Sequence, residues 1–196
     1  MIRILSLHEC PGIKNSIIRL KDTGPMTTTK LIEDLLPHLL TLESRFGDLD
    51  ARCFWPRHKL AHAYRAIGEF EQAINLFIKN LDAKSQGLGE THFETINSQS
   101  SLANCYYALG QYSMAIQLFS KAFNNRTKAL GSFHPDTLRS IGSLANSYRA
   151  NGQLAEAKQL HTRVSNLRQL ILGANHPRTI VSLKHVENIL ASIEES

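Results

Sequence analysis

The chain has 196 residues, and 22 Lys plus Arg stand against 17 Asp plus Glu, a formal net charge of +5. Charged residues at 20% and hydrophobic residues at 42% describe an ordinary folding chain; eleven glycines and six prolines exclude a collagenous or low-complexity one. Every apolar run breaks well short of the ~18 residues of a membrane span, and the opening Met1-Ile2-Arg3-Ile4-Leu5-Ser6-Leu7-His8 is too short for a secretory signal, so the expected location is the cytoplasm, away from membranes. Cys10, Cys53 and Cys105 are odd in number and form no C-x-x-C pair. Reduced thiols are expected, with neither a disulfide framework nor a structural zinc.

In chain order, residues 1–25 read as a degenerate N-terminal segment. Cys10-Pro11-Gly12 and Gly24-Pro25 punctuate a short predicted helix from Ile13 to Lys21. Thr28 to Arg45 predicts a helix with Leu31, Leu35 and Leu39 on one face, interrupted by Pro37, which is expected to kink it. Beyond it the chain becomes periodic. Leu88-Gly89-Glu90-Thr91-His92-Phe93-Glu94-Thr95 recurs 42 residues later as Leu130-Gly131-Ser132-Phe133-His134-Pro135-Asp136-Thr137, and again as Leu172-Gly173-Ala174-Asn175-His176-Pro177-Arg178-Thr179. Leu60-Ala61-His62-Ala63-Tyr64, Leu102-Ala103-Asn104-Cys105-Tyr106 and Leu144-Ala145-Asn146-Ser147-Tyr148 keep the same period, each followed by a glycine (Gly68, Gly110, Gly152) and an alanine (Ala73, Ala115, Ala157).

The third copy states the physics of one unit. Pro135 suits the first helical position, where a missing N–H costs nothing, and an unprotonated His134 nitrogen is placed to accept a first-turn amide proton. Leu138, Ile141, Leu144, Ala145 and Tyr148 then follow one helical face to Ala150. Asn151-Gly152 stops this first helix. A second runs from about Leu154 to Leu170 with Ala157, Leu160, Val164 and Leu167 inward. Small Ala145 and Ala157 let the two helices cross closely. Phe46-Gly47-Asp48-Leu49-Asp50-Ala51 stands where the first full copy should begin, and Pro56 lies inside its expected first helix, which therefore starts late, near Pro56. Pro177 to Ile193 predicts a closing helix that finishes in Glu194-Glu195-Ser196, a polar cap for the array.

The L-G-x-x-H-P-x-T-L and L-A-x-x-Y-x-x-x-G-x-x-x-x-A strings resemble the tetratricopeptide repeat, in the longer 42-residue variety of kinesin light chains and many fungal and bacterial proteins. The resemblance covers roughly Phe46 to Ser196. It implies an all-α superhelix of antiparallel helix pairs, a solenoid, laid out as 26–45 (degenerate second helix), 46–87, 88–129 and 130–171 (full repeats) and 172–196 (closing helix).

Nothing in the pattern carries chemistry. Equivalent atoms of His92, His134 and His176 are separated by at least one helix packing distance, ~8–10 Å, so they cannot share a metal ion whose ligands lie ~2 Å away. His58 and His62 are four apart on one helix but lack a third ligand. No phosphate-binding loop, nucleophile elbow, zinc-protease or dinucleotide string is present. We therefore expect no enzyme, no metal and no cofactor.

Binding remains, on the concave surface that first helices line in stacked repeats. Steps of 42 residues give His62, Asn104, Asn146 and Asn188. In tetratricopeptide repeat proteins the asparagine after Leu-Ala often grips a peptide main chain, which the resemblance implies for Asn104 and Asn146; Asn188 matches by period alone. Three residues on stand Arg65, Tyr107 and Arg149; seven before stand Trp55, Asn97 and Arg139. Together they predict a groove with cations and two aromatic anchors, Trp55 and Tyr107, although Trp55 beside Pro56 equally suits a seal on the first junction. Residues 101–150 carry Lys121, Arg126, Lys128, Arg139 and Arg149 against Asp136 alone, which would steer in an acidic or carboxylate-bearing peptide. The expected function is that of a scaffold or adaptor for a protein or peptide partner. One rival is a sensor or autoinhibitory arm of a nucleotide-switch signalling ATPase. A weaker rival is RNA binding, which the modest charge without Lys/Arg runs disfavours.

Overall fold

The computed structural model describes residues 27–194; the predicted segment 1–25, with its Ile13 to Lys21 helix, lies outside them, as do Glu195 and Ser196. Among the described residues the chain forms eight α-helices and one 3-10 turn. They are α1 (Thr28–Phe46), the turn (Ala51–Cys53), α2 (Phe54–Ala66), α3 (Phe70–Leu88), α4 (Phe93–Ala108), α5 (Tyr112–Leu130), α6 (Pro135–Ala150), α7 (Leu154–Leu172) and α8 (Pro177–Glu194). Each helix packs antiparallel against its chain neighbours, so the fold is the expected all-helical stack of pairs. First helices are α2, α4, α6 and α8; second helices are α1, α3, α5 and α7. None of the described helices is long and apolar enough to cross a membrane.

Local chemistry sets the helix ends. His92 Nδ1 accepts the Glu94 amide proton at 3.3 Å, His134 that of Asp136 at 3.2 Å and His176 that of Arg178 at 3.2 Å. The repeated histidines are thus N-caps, as their place before the first helical residue predicts. One repeat earlier Asp50 does the same work: its carboxylate accepts the Arg52 amide proton at 2.9 Å and the Arg52 guanidinium at 2.8 Å, which holds its pKa down at about 2. That capped turn leads straight into α2, which begins at Phe54 rather than Pro56. Pro56 then falls in the first turn, where its missing N–H has no partner to lose. Gly152, at φ 79°, takes the left-handed conformation that turns the chain from α6 into α7. Helix α1 runs continuously through Pro37, so the expected interruption does not break it.

The interior is a row of small clusters, as a solenoid requires. Leu60, Ala61, Tyr64, Ala73 and Phe77 bind α2 to α3; Ala103, Ala115, Phe119 and Leu144 carry the packing onward, and Leu138, Ile141 and Val164 follow. Ala145 and Ala157 are both fully buried at the α6–α7 crossing. Arg57 is wholly buried between α1 and α2, where its Nη2 donates to Glu43 Oε1 at 2.6 Å and to the Asp48 carbonyl at 2.9 Å.

The closing helix departs from expectation. Its outer face is apolar rather than a polar cap, with Ile180 42%, Val181 51% and Leu183 38% exposed. Ile180 and Leu183 occupy the register of Leu138 and Ile141, which α7 covers to 4% and 1% exposure. Helix α8 keeps the first-helix pattern without a second helix over it among the described residues.

Candidate functional site

Among the described residues, three clefts along the first helices are each walled by successive first helices and floored by the second helix between them. The central one, about 330 Å³, lies between α4 and α6, with His58 of α2 at its edge and Phe119 and Arg126 of α5 as its floor. The cleft towards the C-terminus, about 210 Å³, lies between α6 and α8 over His161, Val164 and Arg168 of α7. The cleft towards the N-terminus, about 610 Å³, lies between α2 and α4 over Lys84 and Leu88 of α3, with Phe54, Trp55 and Phe93 along its walls. Positions 42 apart recur: Asn104 and Asn146, Phe119 and His161, Arg126 and Arg168 serve equivalent places in the central and C-terminal clefts.

Of the residues singled out by pattern, Asn104 and Arg139 line the central cleft, Arg139 and Asn146 the C-terminal one, and Trp55 the N-terminal one. Trp55 is 61% exposed with Lys59 Nζ over its ring at 5.6 Å, while the neighbouring Phe54 is the buried aromatic. Arg139 Nη2 donates to Asp136 Oδ1 at 2.5 Å. Arg65, Tyr107, Arg149, Asn188 and His62 line none of the three clefts. Tyr107 packs edge-on to Tyr112 at 5.3 Å, and Arg65 lies 3.4 Å from His62 Nδ1. The His62 ring meets His58 at 4.5 Å and Phe77 at 5.1 Å, and burial lowers its pKa. Among the described residues no three His, Cys, Asp or Glu side chains converge to hold a metal ion.

Residues that pattern reading along the first helices passed over form the cleft floors. Arg126 is 7% exposed; it donates to Ser140 Oγ and, at 2.8 Å, to Asn97 Oδ1. Burial lowers its pKa, yet a guanidinium stays charged. His161 is 2% exposed and stacks on His185 with ring centroids 5.0 Å apart. Burial, with His185, Arg149 and Arg168 nearby, pushes its pKa down to about 4. His58 is similarly held at about 4, chiefly by burial and then by His62. His58 lies on first helix α2; for the floor residues the signal was in the sequence, on the second helices: Lys84, Arg126 and Arg168 are 42 apart, as are Phe77, Phe119 and His161.

Comparison with known proteins converges on the same architecture. A tetratricopeptide repeat profile matches residues 53–128 and 102–168. The chain belongs to the tetratricopeptide repeat family. These repeats are in general protein–protein interaction modules, presenting extended concave surfaces to their partners. Its fold is similar to nearly identical TPR-like repeats from Podosopora anserina, provisionally assigned to the kinesin light chains, at 27% identity and TM-score 0.77, covering 85% of this chain and 80% of that one. BtubC (BKLC) from P. vanneervenii shares the fold at TM-score 0.68 and 20% identity, over 76% of this chain and 59% of its own. So does the Yersinia enterocolitica type III secretion translocator chaperone SycD, at TM-score 0.55 and 20% identity, over 74% of this chain and 88% of its own. No curated protein sequence matches the chain.

Proposed function

We propose that this tetratricopeptide repeat array is an adaptor that holds an extended, acidic segment of a partner protein along its first helices. One observation carries the reading: the central and C-terminal clefts are lined by asparagines, serines, histidines and the cations Arg126, Arg139 and Arg168, with no carboxylate among their lining residues. Asn104 and Asn146 each offer an amide, the group that matches a peptide main chain in both donor and acceptor. Arg139 stands between the two clefts and selects negative charge. Trp55 and Phe93, both largely exposed in the N-terminal cleft, supply the apolar contact that a polar groove needs for useful affinity.

The test uses the described surface residues Arg139 and Asn104, whose loss leaves the core intact. Arg139→Glu combined with Asn104→Ala is expected to weaken binding of fluorescent acidic peptides at least about tenfold by anisotropy. Helical circular dichroism and melting should not change. Wild-type affinity in that double variant would overturn the groove reading.

A further inference from the structure

Lys84, Arg126 and Arg168 make a ladder of cations on the cleft floors, and their neutralisation changes along the array. Lys84 pairs with Glu94 Oε2 at 3.0 Å. At Arg126 the equivalent acid is Asp136, which is drawn to Arg139 instead. At Arg168 the equivalent position is Arg178, another cation, so the last rung has no acid in register. Arg168 Nη1 donates to Ser182 Oγ at 2.5 Å and to the Arg178 carbonyl at 3.4 Å, and burial, with Arg178 adding to it, lowers its pKa. Both acceptors are neutral.

We infer that Arg168, with Arg139, Ser143 and the stacked rings of His161 and His185, forms a pocket for a phosphoryl group, such as the phosphate of a phosphoserine or phosphothreonine in a bound segment. The delivery by a peptide rests on the groove reading above; the pocket itself does not. Its donors converge from three helices: Arg139 and Ser143 from α6, Arg168 from α7 and His185 from α8. A planar carboxylate is satisfied by a single arginine fork, whereas three phosphoryl oxygens and nearly two charges match Arg168 together with Arg139 on a different wall, whose Nη2 holds Asp136 and whose other guanidinium donors remain. The ordered partners of the pocket are already desolvated: His161 and Ser182 are 2% and 1% exposed. The charged groups that face His161 are Arg149 from α6, Arg168 on its own helix and the titratable His185 from α8, with no carboxylate among them. A dianion placed there offsets that positive field and favours the charged form of the His161 ring.

The probes are inorganic phosphate, O-phosphoserine and acetate, added to the full chain at matched ionic strength. Phosphate and O-phosphoserine are expected to raise the melting temperature and to move the His161 titration, followed by imidazole NMR, upward by at least about one pH unit from its low starting point. Acetate should do neither. Arg168→Gln should abolish both effects. Because it alters a partly buried side chain, exposed Arg139→Gln is the companion variant, expected to weaken phosphate binding about tenfold. Equal responses to acetate and phosphate, or an undiminished response in both variants, would overturn the assignment. Phosphate binding without acidic-peptide binding would sink the groove reading and leave this pocket standing; the reverse would sink the pocket alone.

Discussion

His161 Nε2 donates to Asn146 Oδ1 across 3.2 Å, tying second helix α7 to first helix α6 from within the array. The bond places the proton on Nε2 and leaves Nδ1 bare, so the ring is held in one neutral tautomer. It also engages one of the two lone pairs of the Asn146 oxygen and leaves the other, with both amide protons, for a ligand. Asn146 is thereby held to α7, while Asn104 has no such tether. Two asparagines in the same register thus differ in how firmly their amides are oriented.

Acid should destabilise the fold in a defined window. Burial, which disfavours the charged ring, pushes His161 and His58 in the folded chain down to about 4 from the ordinary histidine value of 6.5. Between those values the unfolded chain binds the extra protons. Stability is therefore constant with respect to these groups above about pH 6.5, falls as pH drops towards 4 and levels below it, at up to ~1.4 kcal/mol per pH unit for each ring. His161→Phe, which restores the residue found at Phe77 and Phe119, is expected to remove a large part of that slope in urea melts run from about pH 7 to about pH 4.5.

Removing the negative partner of Arg57 should cost far more than a surface ion pair. Arg57 is wholly buried and Glu43 nearly so. Glu43→Gln leaves a buried guanidinium without its counter-charge, and a loss of about 3 kcal/mol in chemical denaturation is expected. Amide exchange in α1 should rise first, since this pair bolts α1 to α2. A loss below about 1 kcal/mol would show that Asp48 carbonyl and nearby water suffice.

One substitution should stabilise the protein. Asn80 is fully buried, and neither its amide nitrogen nor its oxygen has a hydrogen-bond partner. Steps of 42 residues put Ala122 and Val164 in the same place. Asn80→Val removes two unpaired polar atoms and should raise stability by about 1 kcal/mol; a lower melting temperature would mean the amide is doing something the packing does not reveal.

The histidine caps make a graded test. His134→Ala should cost about 1 kcal/mol, the usual penalty for an uncapped first turn. His134→Asp should cost much less, because Asp50 already performs that role at the start of α2. Melting both variants above neutral pH separates capping from charge.

How much of this was legible beforehand depends on which residues carry the signal. Helix α6 could be bounded to the residue, because Pro135 and Asn151-Gly152 are strong local stops whatever surrounds them. The start of α2 could not, because it hangs on an Asp50 cap whose partner is its own backbone two residues on. Among the residues offset from the ladder, helical geometry separates those that reach a cleft from those that do not: at about 100° per residue, Arg139 lies seven before Asn146, about 20° off its direction, whereas Arg149 lies three after it, about 60° off. That rotation takes Arg149, like Arg65 and Tyr107, past the cleft wall. Arg168 and His161 escaped notice, and Arg126 was read only as part of the local charge, because they sit on second helices, away from the surface that the first helices line. A cation or imidazole there declares itself only when the copies are aligned against one another.

The unequal clefts have a consequence for reading frame. A groove of identical units would accept an extended ligand in several frames, each shifted by one repeat, and its occupancy would be divided among them. Here the N-terminal cleft is aromatic, with its lysine matched to an acid; the central one is rich in hydroxyls; the C-terminal one is lined by histidines over an arginine with no acid in register. An asymmetric ligand with an apolar end and an anionic end fits that gradient in one direction and one frame, so the drift between copies supplies the polarity that duplication alone would erase.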